Sequence, residues 1–267
     1  MAYITRSDDG VVQRKMQIKI ARLIDHNRLP SFPNILANYL SDLCNFDSII
    51  MASYKDSAKP TMVYPMDPVN HSQPLKFYLE TSYVLDPFYQ LSNVTNPPSV
   101  CRLEDISPPL FKHSEYFKSC YQYFNLVDEI NLSIKLDNKI CFIITLGRGD
   151  NLGSITRAEL NRLNDVYPLI NSLVQQFWLS QSHVFTKHRG FNNNIKIALN
   201  TFGGTVLTPR VQQVSQLILQ GHSSKSIANT LNISEGTVKV HRKSIHRRLH
   251  TSSQSEVFSL FIQHLNQ

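Results

Sequence analysis

One tryptophan, four cysteines and nine glycines in 267 residues leave several classes of protein without their raw material. Cys44, Cys101, Cys120 and Cys141 are scattered with no paired spacing, so neither a zinc site nor a disulfide framework is expected. Buried, reduced thiols in a cytoplasm fit that pattern best. No apolar run approaches the length that spans a bilayer, and Met1 to Arg6 leads into Ser7-Asp8-Asp9-Gly10, not into an apolar signal core. A cytoplasmic protein with no membrane partner is therefore expected. Glycine is too isolated to cradle a phosphate: Gly147-Arg148-Gly149 follows a strand pattern without a helix-opening Gly-Lys. HExxH and the nucleophile elbow are both missing. The expectation is a protein that is not an enzyme and holds no metal or cofactor.

The charge that is present lies unevenly. Residues 204–267 hold seven Lys and Arg against two Asp and Glu, so they carry five of the seven net positive charges of the chain. Five of its ten histidines lie there too. A basic C-terminal quarter on a nearly balanced remainder points to a polyanion such as DNA, bound in a strongly salt-dependent way.

The pattern in that quarter is helical. Ser234 is placed to cap a helix that opens on Glu235, where a negative charge suits the helix dipole. At 100° per residue, Val238, Ile245 and Leu249 form one stripe that must face a core. Gly236, Lys239, Val240, Lys243 and Arg247 fall on a different face, and Thr237, His241, Ser244 and Arg248 fill the remaining sector. Lysine can donate to guanine O6 and N7, and an exposed valine can pack on a thymine methyl. The hydroxyl and cationic flank suits phosphate oxygens. Upstream, Thr208 caps a helix with Pro209 in its first position, Val211, Val214, Leu217 and Ile218 on its apolar face, and Gly221 at its end. Ser223 or Ser224 caps a second helix, with Ile227, Ala228 and Leu231 inward. A last helix after Ser253 carries Val257, Leu260, Phe261 and Leu265. A short helix, a tight turn and a longer basic helix can place one helix in a major groove while the other braces it.

Leu207-Thr208-Pro209-Arg210, Gly221, Lys225-Ser226-Ile227-Ala228, Leu231-Asn232-Ile233-Ser234 and Thr237-Val238-Lys239-Val240-His241 together resemble the DNA-binding domain of LuxR-type transcriptional regulators. The resemblance covers about a quarter of the chain. It implies a four-helix domain with its third helix in the major groove and its fourth available for dimerisation. It also implies base contacts from Lys239, Val240 and Lys243, on the face that Arg247 shares, and phosphate contacts from Thr237, His241, Lys225 and the serines before it, Ser224 included. The sequence departs from the family at Val211, where a glutamate usually completes a capping box with the threonine. Such domains often follow a phosphoacceptor receiver. Here Asp8-Asp9 has only seven residues before it, so no strand precedes the acidic pair that a receiver needs.

The remainder reads as a separate domain. Val12, Met16, Ile20, Leu23 and Ile24 mark an opening helix, and 32–43 a second, capped by Ser31. Ile49 to Tyr54 and Met62 to Tyr64 read as strands, and 112–124 as helix. Ile130, Leu132, Ile134 and Leu136 alternate with Asn131, Ser133 and Lys135, and Ile140, Phe142, Ile144 and Leu146 alternate on the return. That is a hairpin, with Asp137-Asn138 as its turn. Thr156 and Glu159 form a capping box before a long amphipathic helix through Trp178 that contains Pro168.

The fold expected is α+β: an N-terminal α/β sandwich like GAF or PAS sensors, or like the acyl-homoserine-lactone-binding domain, followed by the all-α helix-turn-helix domain. The divisions are 1–182 for the sensor, 183–206 for a linker and 207–267 for DNA binding. Within the linker, Ile195, Ile197, Ala198, Leu199 and Phe202 suggest a short helix between Gly190 and Gly203-Gly204. A small molecule can lie between such a sheet and a helical layer. The segment from Phe77 to Tyr89 is the candidate wall, with Asp86, Tyr78 and Tyr83 as ligand contacts. Asp86-Pro87 resembles the Asp-Pro of the lactone-binding domain, where the aspartate accepts from the ligand amide. The sole tryptophan, Trp178, stands elsewhere, so the resemblance is to the unpaired solo regulators with non-standard signals. The expected partners are an inverted-repeat operator in double-stranded DNA, a second copy of the chain and an unknown small molecule, with RNA polymerase a further candidate. The alternative is a regulator whose N-terminal domain binds no small molecule and acts by dimerisation or through a protein partner. A cavity with polar groups at Tyr78, Tyr83 or Asp86 separates the two.

Overall fold

The period-two alternation after residue 127 builds the centre of the molecule. In the computed structural model, which describes residues 5–55, 60–65, 73–92, 94, 96–122, 124–137, 140–186 and 194–265, β4 (Asp128–Lys135) and β5 (Ile140–Arg148) pair antiparallel. Asp137 accepts from the Ile140 amide at 2.7 Å, while Asn138 of the expected turn lies outside the described residues. β1 (Ser48–Lys55), β2 (Thr61–Tyr64) and β3 (Val100–Arg102) complete an antiparallel sheet in the order β2-β1-β5-β4-β3.

The two faces of this sheet differ chemically. Ile130, Leu132, Ile134, Phe142, Ile144 and Leu146 point to one side, where they pack under α1 (Thr5–His26), α2 (Phe32–Ser41) and α6 (Arg157–Thr186). Full burial of each such side chain contributes about 1.5–3 kcal/mol, so this face anchors the domain. On the opposite face stand Glu129, Asn131 and Ser133, with Thr145, Ala52 and Tyr54 beside them. A second layer covers them: α3 (Gln73–Phe77), a wide turn at Tyr78–Ser82, a 3-10 turn at Tyr83–Leu85, α4 (Pro87–Ser92), α5 (Leu103–Ile106) and the stretch 111–126.

Three local expectations need correction. Ser31 is itself helical and makes no cap bond, because its hydroxyl is held at 2.8 Å by the His26 ring. The expected helix over 112–124 is broken into a 3-10 turn at Phe111–His113 and a wide turn at Phe117–Tyr121. Ser114 causes the break, since its hydroxyl donates to the Phe111 carbonyl and accepts from the Phe117 amide. Ile24, expected on the apolar face of α1, is 57% exposed. The capping box of α6 forms as expected: Glu159 accepts from the Thr156 amide at 2.9 Å and the Glu159 amide reaches the Thr156 hydroxyl at 3.3 Å. Glu159 is also paired with Arg148, which ties the helix to β5. α6 runs on to Thr186, past the expected boundary, with Pro168 inside it.

The C-terminal helices are α7 (Asn194–Thr201), α8 (Pro209–Leu219), α9 (Ser224–Leu231), α10 (Glu235–Leu249) and α11 (Gln254–Leu265). α7, the expected linker helix, packs on the DNA-binding helices: Phe202 beyond its end meets Phe261 at 5.5 Å, and Gln216 donates to the Leu199 carbonyl at 3.0 Å. Gly190 of the proposed joint lies outside the described residues.

Candidate functional site

Two surfaces of different character carry the chemistry. The first is the outer face of α10. The Ser234 hydroxyl accepts from the Thr237 amide at 3.0 Å, which starts the helix, and Val238 and Ile245 are buried against the core. Lys239, Lys243 and Arg247 are exposed, with Val240 at 64% exposure among them. An apolar side chain left that open between cations suits a groove floor carrying thymine methyls and guanine acceptors. Thr237 is exposed and His241 half-buried on the flank. Lys225 is exposed and Ser224 half-buried at the start of α9, whose cap is Ser223, accepting from the Ser226 amide at 3.1 Å. Thr208 has cap backbone geometry at the start of α8, but its side chain makes no cap bond, so that expected bond is absent. Val211 is instead buried in the core.

The second surface is a cavity of about 410 Å³ between the polar face of the sheet and the layer over it. Asp86 and Tyr78 line it. The Asp86 carboxylate accepts from the Tyr78 hydroxyl at 2.7 Å and from the Phe88 amide at 2.8 Å, and the Tyr54 hydroxyl lies 3.1 Å from that of Tyr78. The Asp-Pro dipeptide is therefore more than a turn. It starts α4 and presents one carboxylate oxygen to a tyrosine chain. Tyr83 is not brought to the cavity; it is fully buried, edge-on to Tyr89 at 4.9 Å. Trp178 lies on the other side of the sheet, against Phe142.

Sequence reasoning missed Glu129. It lines the same cavity, from β4, with only 7% of its surface exposed. The signal was present: Glu129, Asn131 and Ser133 continue the polar alternation one step further back, and all three are buried. Tyr116, Cys120 and Tyr121 close the wall, with the Tyr121 hydroxyl hydrogen-bonded to Glu129. Burial pushes the Asp86 carboxyl up to about 6, against the lowering effect of Tyr78 and the backbone amides. Burial pushes Glu129 further, to about 8, and the charge of Asp86 adds to the rise. The tyrosine hydroxyls of Tyr54, Tyr78, Tyr116 and Tyr121 are raised by the same burial, so they stay neutral donors.

A short path joins the two surfaces. Leu85 and Pro87, the chain neighbours of Asp86, line a cleft whose other wall includes Gln220 and His222. Beside it the Leu110 amide donates to the Gly221 carbonyl at 3.2 Å. Gly221 has φ +88°, and a Cβ there would stand 3.0 Å from the Phe111 Cα, so close approach and the left-handed turn both call for glycine. Arg242 of α10 donates to the His222 carbonyl at 3.3 Å. Helix α10 is thus bonded to the turn that touches the layer over the sheet.

Comparison with known proteins bears on each of the two parts. The family described as "Bacterial regulatory proteins, luxR family" matches residues 205–261. A protein of Aeromonas salmonicida named "Putative HTH-type transcriptional regulator in exeN 3'region" is 34% identical over 186 residues, covering 67% of this chain and 94% of that protein. That similarity extends well beyond the DNA-binding helices. The nitrate/nitrite response regulator protein NarP of Escherichia coli strain K12 is 46% identical over only 59 residues, 22% of this chain and 27% of its own. In fold, the crystal structure of the VqsR LBD domain from Pseudomonas aeruginosa covers 61% of this chain and 96% of its own, with a TM-score of 0.54 at 21% identity. The N-terminal domain therefore has the fold of that domain, the C-terminal helices are the DNA-binding module, and the chain belongs to the LuxR family of bacterial transcriptional regulators.

Proposed function

We propose that this regulator binds an inverted-repeat operator as a cytoplasmic homodimer, and that a small molecule held in the sensor cavity sets the strength of that binding. One observation carries the reading. Asp86 lines a cavity of about 410 Å³, while its neighbours Leu85 and Pro87 line the cleft shared with Gln220 and His222 of the DNA-binding helices. A ligand that moves Asp86 therefore acts on the wall against which those helices rest. The shift in DNA affinity is limited to the difference between the ligand's affinities for the two arrangements. A cavity with polar groups at Tyr78 and Asp86 supports this reading over a sensor domain that only dimerises or binds a protein.

Roles within the reading helix follow from exposure and chemistry: Lys239, Val240 and Lys243 read bases, with Arg247 on the same face, while Thr237, His241, Lys225 and Ser224 hold phosphates. Two-fold pairing matches half-sites about one helical turn apart. It is supported by apolar side chains left open on α1 and α6, Ile18 at 59%, Ile24 at 57% and Leu179 at 78% exposure. The Gln181 amide donates to the Arg28 carbonyl at 2.6 Å, which holds the two helix ends together. RNA polymerase remains a candidate partner at the promoter.

The test is native mass spectrometry of the purified full-length protein beside Ile50→Trp, which fills the cavity from β1. The proposal expects a bound small molecule in the first and none in the second. A sensor domain that is empty after gentle purification, and whose stability no compound in a broad metabolite panel changes, contradicts it.

A further inference from the structure

The buried acids of the sensor domain fall into two pairs. Among the described residues, Asp128 and Glu159 each have an arginine: Arg102 lies 2.7 Å from Asp128, and Arg148 is paired with Glu159. Asp86 and Glu129 are as deeply buried and have none among the described residues. These two are the ones that face the cavity. A third carboxylate, Asp47, stands on its wall, where it accepts from the Gly149 amide at 2.7 Å, and no lysine, arginine or histidine lines it among the described residues. The same wall also carries the apolar side chains of Ile50, Leu75 and Leu126.

Buried charges in folded proteins are paired, neutralised or given to a ligand. Neutralisation is one answer at this site, with Glu129 pushed up to about 8 by its burial and by Asp86. The groups facing the two carboxyls are Tyr121 and Asp128 around Glu129, and Tyr78 with the Phe88 and Tyr89 amides around Asp86. Around them Tyr54, Tyr116 and Cys120 all stay neutral in the physiological range. None supplies a positive charge.

We propose that the sensor cavity takes an organic cation: a small molecule whose protonated amine or amidinium reaches both Asp86 and Glu129 while its apolar body lies on Ile50, Leu75 and Leu126. The inference rests on the reading of the cavity as the ligand site and adds the ligand's charge class. A cation supplies the partner that Arg102 and Arg148 give the other two acids. Its ammonium or amidinium hydrogens replace the proton that Glu129 otherwise keeps, so binding expels that proton.

The test uses the full-length protein and two probes of one shape, 2-phenylethylamine and 2-phenylethanol. Titration calorimetry is expected to give tighter binding of the amine by about tenfold or more, since charge-assisted hydrogen bonds are roughly twice as strong as neutral ones. At about pH 7.5, amine titrations in buffers of different ionisation enthalpy are expected to report release of a proton from the protein. Glu129→Gln should abolish the proton release and reduce the preference, with Asp86 still pairing the cation. If the alcohol binds as well as the amine, or the amine binds without proton release, the cation class is wrong while the cavity remains a ligand site. If neither probe binds, the inference falls. The native mass spectrum of the purified protein then decides separately whether the cavity is a ligand site at all.

Discussion

Helix α10 and the cavity over the sheet use charge in opposite ways. α10 turns Lys239, Lys243 and Arg247 into solvent, where each cation is hydrated at little cost, and keeps only Val238 and Ile245 inside. The cavity does the reverse: Asp86 and Glu129 are held in the interior with no basic partner among the described residues. Function and stability are therefore separable along the helix and coupled in the cavity. Substitutions on the outer face of α10 should change binding alone. A substitution in the cavity wall should change recognition and stability together.

The sharpest way to break that comparison lies within one helix. Ile245→Ala removes a fully buried side chain and is expected to cost about 2–5 kcal/mol of stability in the DNA-binding domain. Val240→Ala on the outer face should leave the melting curve unchanged within a few tenths of a kcal/mol. Equal destabilisation by both would show that the exposed face is not free.

Glu129→Gln sharpens the other half. Both cavity carboxyls have folded pKa values, about 6 for Asp86 and about 8 for Glu129, above those of the unfolded chain, so the native state holds more protons between about pH 4 and 8. Stability from these groups is present in acid and lost as pH rises through that window. Glu129→Gln is therefore expected to stabilise the unliganded protein by about 1–3 kcal/mol at pH 8, and by less at pH 6, where the native glutamate is already neutral. Chemical denaturation at the two pH values reads the difference. A variant less stable than the parent at pH 8 would mean that Glu129 is satisfied as an anion.

The smallest effects are within the reading face. Lys239→Ala and Lys243→Ala should each cost about 1–3 kcal/mol on the specific operator and relax base preference, with stability unchanged. His241→Ala and Lys225→Ala should weaken specific and random DNA more evenly and reduce the salt dependence. Competition binding on randomised operators distinguishes these outcomes.

The same contrast explains what could be read from the sequence. The helices of the DNA-binding domain are local objects. Ser234 caps over three residues, Val238 and Ile245 recur at helical spacing, and Gly221 ends its helix, so the pattern states the structure. The unmade cap at Thr208 shows the limit, because a suitable residue does not guarantee the bond. The cavity is assembled from segments far apart in the chain. The Asp-Pro dipeptide marks Asp86, and Tyr78 stands near it in the sequence. Tyr83, five residues beyond Tyr78, carries the same sequence signal but turns into the layer's own core. Glu129 carries no such signal, since an Asp-Glu pair before an alternating run looks like a solvated strand start. Only the layer laid over β4 makes it interior. β3 has three residues and no pattern long enough to read. The exposure of Ile18, Ile24 and Leu179 is likewise a property of the assembled surface.

The proposed control of α10 from the cavity runs through Asp86-Pro87 and the turn at Gly221 and His222. Its most direct test is the dissociation constant for the selected operator, measured on ligand-stripped full-length protein before and after adding back the small-molecule extract of the purified protein. Ile50→Trp is carried through in parallel. A change of about 5–150-fold is expected for the parent protein and none for the cavity-filled variant. An unchanged dissociation constant in the parent, or an equal change in both proteins, would contradict it.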